Sequence, residues 1–251
     1  MTIDLERVTI DWTAFEDGAQ QSLELIQALA DDKTALRNLV LRIADDDRLL
    51  SMCEVHQHDE VADEVDIAAE DRRVHYLVLH DALERGIRLR LLEPAVGSFN
   101  PIHDHRYSFA SILLSGSYRH SIYSPIPLAL GQSSSWRCNQ QDGTHEEFDL
   151  PSAPDFAGFA PAWVQDYRTG SSYAMHHSTL HTVTHGEPDT FSLMLRSEPQ
   201  KRASVLAEPK SQTYWWKFSR TAEGDQHLSK TAMSKTQFFQ MVARMEAAGV
   251  I

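Results

Sequence analysis

Two groups of histidines stand out among the 13 histidines of this 251-residue chain. His103 and His105 lie two residues apart, so on a β-strand both side chains point to the same face. A second group falls within one short stretch downstream, at His176, His177, His181 and His185. Neutral imidazole is a good ligand for iron, zinc, copper and nickel. The pair and one downstream histidine therefore predict a divalent metal held by three imidazoles.

The residues around these histidines resemble the two paired motifs of the cupin superfamily. The first motif has a glycine, a His-x-His pair and a second glycine, which match Gly97, His103, His105 and Gly116. The second motif matches Gly170 and His181, so the resemblance implies His181 as the third ligand. His176 and His177 are the alternative third ligands, and His185, which stands in the place of the motif's Asn, is expected in a loop or outside the ligand set.

The cupin glutamate has no counterpart in this chain. It would fall near Phe109 or Ala110, where the sequence has no carboxylate. A three-histidine site without glutamate resembles the site of the thiol dioxygenases, the family of cysteine dioxygenase. The amino-acid sequences of residues 102–105 and 185–188 are also similar to the corresponding segments of that family. The resemblance implies Fe(II) as the metal, O2 as co-substrate and a small polar substrate, either a thiol or an amino-acid derivative.

Other positions depart from the thiol dioxygenase pattern. The family's cysteine that cross-links to a tyrosine matches Ala110, that tyrosine matches Arg196, and the histidine beside it matches Met194. The metal site therefore carries over, whereas cysteine as the substrate does not. Arginine suits a carboxylate because its planar fork bonds in two places. The candidates for contact with substrate or oxygen are Tyr107, Arg90, Arg106, Arg196, His177 and His185.

Two other functions fit the same residues. A cupin without redox chemistry would be an isomerase, lyase or hydrolase that uses Zn, Ni or Mn as a Lewis acid. A non-catalytic cupin would bind a ligand and act as a sensor. Metal identity separates the oxygenase from the Lewis-acid enzyme, and metal content separates both from the sensor.

The metal ligands need a β-barrel to bring them together. Short strands are predicted over 75–80, 87–91, 108–114, 118–123, 172–175 and 191–195, with Gly and Pro between them. They favour a mainly β fold, either a sandwich or a barrel, and the resemblance implies a cupin (double-stranded β-helix, jelly-roll) barrel over residues 74–200. Residues 131–168 are expected to form loops and short strands, and residues 56–58 a solvated helix or loop.

Additions on both sides of the barrel complete a single structural domain. Residues 1–73 are predicted to be a helical N-terminal region that packs on the barrel, with a helical pattern over 19–50. Residues 201–251 are predicted to form a C-terminal extension over the surface. It ends in a helix whose N-cap is Ser234, with Gln237 three residues on as a capping box.

The amino-acid composition limits the classes of molecule that the chain is expected to bind. Asp and Glu outnumber Lys and Arg by 36 to 23, and the net charge of −13 disfavours nucleic acid and anionic membranes. No apolar run reaches the ~20 residues of a membrane helix, and no signal peptide is visible. Two cysteines are too few for a disulfide framework, which suits the cytoplasm. The expected partners are a small-molecule substrate and O2, with a homodimer by family analogy.

Overall fold

A computed structural model of the chain describes residues 3–58, 73–94, 101–138, 155–184, 186–217 and 228–251. Its N-terminal region contains the helices α1 (Phe15–Asp31), α2 (Lys33–Arg42) and α3 (Asp47–Ser51). The predicted helical stretch is therefore divided, because two acids act as helix caps. The side chain of Asp32 accepts a hydrogen bond from Ala35 N, and that of Asp46 accepts one from Leu49 N.

The strands, numbered in chain order, form two seven-stranded sheets within the described residues. The first sheet runs in the order β14 (Leu228–Ala232), β1 (Glu54–His58), β2 (Arg73–Ala82), β3 (Ile87–Glu93), β11 (Phe191–Arg196), β5 (Phe109–Ser115) and β9 (Ser172–Met175). The second runs in the order β7 (Arg137–Cys138), β13 (Thr213–Lys217), β12 (Ser204–Glu208), β4 (Ile102–His103), β10 (Leu180–Thr184), β6 (Ser117–Pro127) and β8 (Phe156–Arg168). This mainly β architecture of two sheets with added helices confirms the predicted fold class.

Successive side chains along the strands of the first sheet point alternately to its outer face and to the barrel interior. Leu89, Ala110 and Leu195 are neighbours across three strands, and they share a core with residues of α1. Side chains next to them in sequence point to the opposite face, because successive residues of a strand alternate. Arg90 and Arg196 therefore face the barrel interior. No helix of the described residues is long and apolar enough to cross a bilayer.

The expectation for residues 131–168 was wrong in its second half. Residues 156–168 form the 13-residue strand β8, which lies at the edge of the second sheet and pairs with β6. Pro161 is tolerated within this strand because an edge strand needs only one of its two rows of backbone groups for pairing. Residues 139–154 lie outside the described residues.

The expectations for residues 56–58 and for the C-terminal surface wrap were also wrong. Residues 56–58 belong to β1, which pairs with β2 and with β14 of the tail. The tail strand β12 lies beside β4, the strand that carries His103. The tail therefore contributes strands to both sheets. Sequence patterns could not give this result because each pairing joins segments that are distant along the chain.

The C-terminal helix α4 (Lys235–Ala247) begins as predicted. The side chain of Ser234 accepts a hydrogen bond from Gln237 N, and the side chain of Gln237 accepts one from Ser234 N, which is a complete capping box. Phe238, Met241 and Met245 are buried in the same core as α1. The helix thus covers the outer face of the first sheet.

Gly116 makes the tight turn between β5 and β6, with φ of +73°. A Cβ atom there would lie 2.7 Å from Thr190 Cα and 2.2 Å from Thr190 Oγ1. That hydroxyl is fixed, because it donates to the Glu187 carbonyl. We expect Gly116→Ala to lower the free energy of unfolding by about 2 kcal/mol or more, measured by urea denaturation.

Gly170→Ala is the matched control for this substitution. Its φ of +85° imposes the same backbone strain, but nothing lies within 4 Å of the added Cβ. We expect Gly170→Ala to cost only about 1 kcal/mol. Equal losses in the two variants would show that the contact with Thr190 is not what makes Gly116 necessary.

Candidate metal centre

Three of the predicted ligands converge inside the barrel. His103, His105 and His181 each offer a ring nitrogen, and these nitrogens lie within 4.8 Å of one another. His103 on β4 is directly opposite His181 on β10, with ring centroids 4.4 Å apart. His105, two residues beyond His103, has its ring centroid 5.0 Å from each of the other two. The structure therefore brings together the set that the sequence motifs indicated.

Backbone carbonyls orient two of these rings. Nδ1–H of His103 donates to the Pro101 carbonyl at 2.9 Å, and Nδ1–H of His181 donates to the Thr179 carbonyl at 3.1 Å. Because a carbonyl can only accept, the hydrogen is on Nδ1 and the lone pair is on Nε2. Such contacts from the outer ring nitrogen are typical of metal-binding histidines. Both rings are thus oriented to coordinate through Nε2.

The electrostatics of the site favour the neutral form of two of these imidazoles. Burial, reinforced by the neighbouring His103, lowers the pKa of both His105 and His181 well below the usual value of 6.5. Neutral imidazole is the form that binds a metal. The donor set therefore fits a divalent ion that prefers nitrogen ligands.

Asp104 lies between two of the histidines but does not join them. Its carboxylate accepts a hydrogen bond from Val205 N at 2.7 Å and pairs with Lys201. Within the described residues, no carboxylate belongs to the metal-binding group. The candidate group therefore consists of three histidines, which in their neutral, metal-binding form would leave the charge of a bound ion uncompensated.

All three ligands belong to the second sheet, because His105 directly follows β4. A metal held by these residues would lie beside this sheet. The facing wall includes Phe109 of the first sheet, whose ring centroid is 5.2 Å from that of His105. The ligand histidines therefore face the inner side of β5.

A cationic pocket adjoins the metal ligands. Tyr107 stacks on His105 with centroids 5.1 Å apart, and the Arg196 guanidinium lies 4.2 Å from the Tyr107 ring centroid. Arg196 is only 5% exposed, and burial, followed by the charge of Arg90, lowers its pKa to about 9. Within the described residues, the Nε atoms of Arg90 and Arg196 are buried without a hydrogen-bond partner. An anionic group would satisfy both.

The remaining predicted residues lie around this centre. The Nδ1 atom of His177 is 2.7 Å from Gln200 Oε1, so its ring is turned away from the ligand group, while its carbonyl accepts a hydrogen bond from His105 N. Arg106 is partly buried, and its backbone carbonyl accepts from Gln200 N. His176 is exposed and its ring packs on that of His177. His185 and Gly97 lie outside the described residues.

The sequence motifs did not indicate His120, a buried residue on β6 that is 1% exposed. Its ring centroid lies 5.0 Å from those of His181 and Tyr173, and burial lowers its pKa to about 4. The available signal was alternation: Tyr118 and His120 are buried on either side of the exposed Arg119. That period-2 pattern places His120 on the inner face of the barrel.

No family model and no curated protein matches this chain. Solved structures share distant similarity, among them KdgF from a Halomonas species, at 12% identity and a TM-score of 0.31 over 57% of this chain and 93% of that one. An RmlC-like cupin from Desulfovibrio desulfuricans aligns at 14% identity and a TM-score of 0.29, over 56% of this chain and 94% of that one. The DMSP lyase DddQ from Ruegeria pomeroyi aligns at 12% identity and a TM-score of 0.33 over 58% of this chain, which spans 57% of the lyase. The chemistry of the site therefore rests on its own geometry.

Proposed function

We propose that this chain is a non-haem Fe(II)-dependent oxygenase that acts with O2 on a small polar molecule, a thiol or an amino-acid derivative. The observation that carries the proposal is the set of three histidines, with no carboxylate ligand from the described residues. Iron accepts imidazole ligands, and a neutral set favours the addition of an anionic substrate group. Thiolates and carboxylates are groups of this kind.

The protein's own side chains would orient the substrate. When bound, iron(II) supplies the redox chemistry with O2. Arg90 and Arg196 lie on neighbouring strands of one inner face and would hold a carboxylate between them. Tyr107 packs between Arg196 and His105 and so fixes the distance from that carboxylate to the ligand group. Phe109 and Met194 form a buried apolar wall that excludes water.

The test measures metal content and oxygen uptake on the same preparation. Protein expressed in iron-supplemented medium is assayed by elemental analysis and then mixed with cysteine, mercaptoacetate and other small thiols in an oxygen electrode. Near-stoichiometric iron with thiol-dependent O2 uptake supports the proposal. Stoichiometric zinc or nickel without uptake would favour Lewis-acid chemistry instead, and protein without metal would contradict the proposal.

Arg196→Met tests the substrate pocket without redox turnover. With Zn(II)-loaded protein, we expect the dissociation constant of mercaptoacetate to rise at least about tenfold, because a charge-assisted hydrogen bond is lost. Titration calorimetry measures this change. Arg88→Met is the control, since Arg88 lies two residues from Arg90 on β3 but is paired with Asp81 at 2.5 Å. Equal losses in both variants would show that the binding depends on general charge rather than on Arg196.

A further inference from the structure

Buried polar atoms without hydrogen-bond partners concentrate on the inner face of the barrel. Among the described residues they include Arg90 Nε, Arg196 Nε and both ring nitrogens of His120, whereas Ser111 Oγ on the same face interacts with the hydroxyls of Tyr118 and Tyr173. The others are Ser22 Oγ and two atoms of an ion pair, His75 Nδ1 and Glu93 Oε2. Buried polar groups in native proteins are normally satisfied. Their clustering around the three ligand histidines indicates that a polar molecule binds there.

His120 is placed to meet such a molecule beside the metal. It lies on β6, the strand next to His181 on β10, and its ring centroid is 5.0 Å from that of His181. It reaches across the barrel, because Tyr173 on the opposite sheet is also 5.0 Å away. The ligand histidines face the same interior. His120 is nevertheless outside the group of nitrogens that lie within 4.8 Å of one another.

The surroundings of His120 give no other reason for a polar side chain. A neutral imidazole offers one donor and one acceptor, and leaving both buried without partners costs free energy. The ring packs among Tyr118, Tyr167 and Tyr173, a wall that would accept phenylalanine equally well. The nitrogens therefore serve a molecule that enters the site.

We propose that His120 donates a hydrogen bond to the small anionic or dipolar ligand that occupies the open coordination position, and so positions it at the metal. This inference rests on the proposed metal centre. It makes His120 a positioning residue that is distinct from the arginine pocket. A molecule bound in the barrel interior would then have two polar contacts, the cationic arginine pocket and the neutral imidazole of His120.

The experiment uses the full chain loaded with Co(II), with azide as the probe ligand. Visible absorption follows azide binding in the parent protein, in His120→Phe and in His120→Gln. We expect Co(II) affinity to stay within about twofold in all three, and azide affinity to fall about tenfold in His120→Phe, the loss of one hydrogen bond to a charged ligand. His120→Gln keeps an N–H donor and should recover part of that affinity.

Thermal unfolding of the metal-free proteins adds a readout that a structural role would not give. His120→Phe should raise Tm by about 2–4 °C, because it removes two unsatisfied nitrogens and keeps the ring. His80→Phe is the control, since His80 is also buried but contacts Arg85 and Glu6 away from the barrel interior. That variant should leave azide affinity unchanged.

The possible results distinguish the role of His120 from the existence of the metal centre. Unchanged azide affinity in His120→Phe, or a parent that binds Co(II) but no azide, overturns the role of His120 and leaves the metal centre standing. Loss of Co(II) from a folded His120→Phe overturns it too, because His120 would then be a ligand. A parent that binds no Co(II) overturns both the inference and the proposed function.

Discussion

Replacing His181 with alanine is expected to lower the affinity for a divalent metal at least about 100-fold. Changes to the partners of metal ligands already cost about 10–100-fold, and removing a ligand costs more. His181 is 3% exposed and directly opposite His103, so its ring forms one side of the ligand group. Two histidines would remain, and the ion would lose one of three protein ligands.

The measurement is a competition titration of Zn(II) against a chromophoric chelator. His177→Ala is the matched control, because His177 belongs to the same histidine-rich stretch and was an alternative third ligand on sequence grounds. Its ring is directed to Gln200, so we expect its removal to change metal affinity less than about threefold. Retained metal in His181→Ala together with loss in His177→Ala would mean that the third ligand is His177.

The features that sequence patterns predicted are local ones. The alternation of Ile87, Leu89 and Leu91 marks β3, and the structure buries these three residues while their neighbours are only partly buried. The capping box at Ser234 involves residues three apart and forms as predicted. The ligand group could be predicted because His-x-His shares one strand face. Each of these depends on a short stretch of chain.

The features that sequence patterns did not predict depend on contacts between segments that are distant along the chain. The tail strand β14 pairs with β1, and β8 pairs with β6 across residues that lie far apart in the chain. His120 belongs to the same group. Its own strand shows only that it points inward, while its position beside His181 comes from the pairing of β6 with β10. An isolated histidine with no motif around it carries no such information.

Acid is expected to destabilise the metal-free protein, and His120 should account for about 3 kcal/mol of the loss. Its pKa is about 4 in the folded protein and about 6.5 when the chain unfolds, and one pKa unit corresponds to about 1.4 kcal/mol. Between these values the unfolded chain binds more protons than the folded one. The contribution to stability is therefore fully present above pH 6.5 and is lost as the pH falls towards 4.

Urea denaturation of metal-free protein between pH 7.5 and pH 4 tests this, with His120→Phe as the comparison. His105 and His181 have lowered pKa values from the same burial, so both proteins lose stability in acid. The parent should lose about 3 kcal/mol more than His120→Phe, because only the parent must bury a neutral imidazole at position 120. Parallel pH curves would mean that His120 titrates normally, and thus that water reaches its ring nitrogens in the folded barrel.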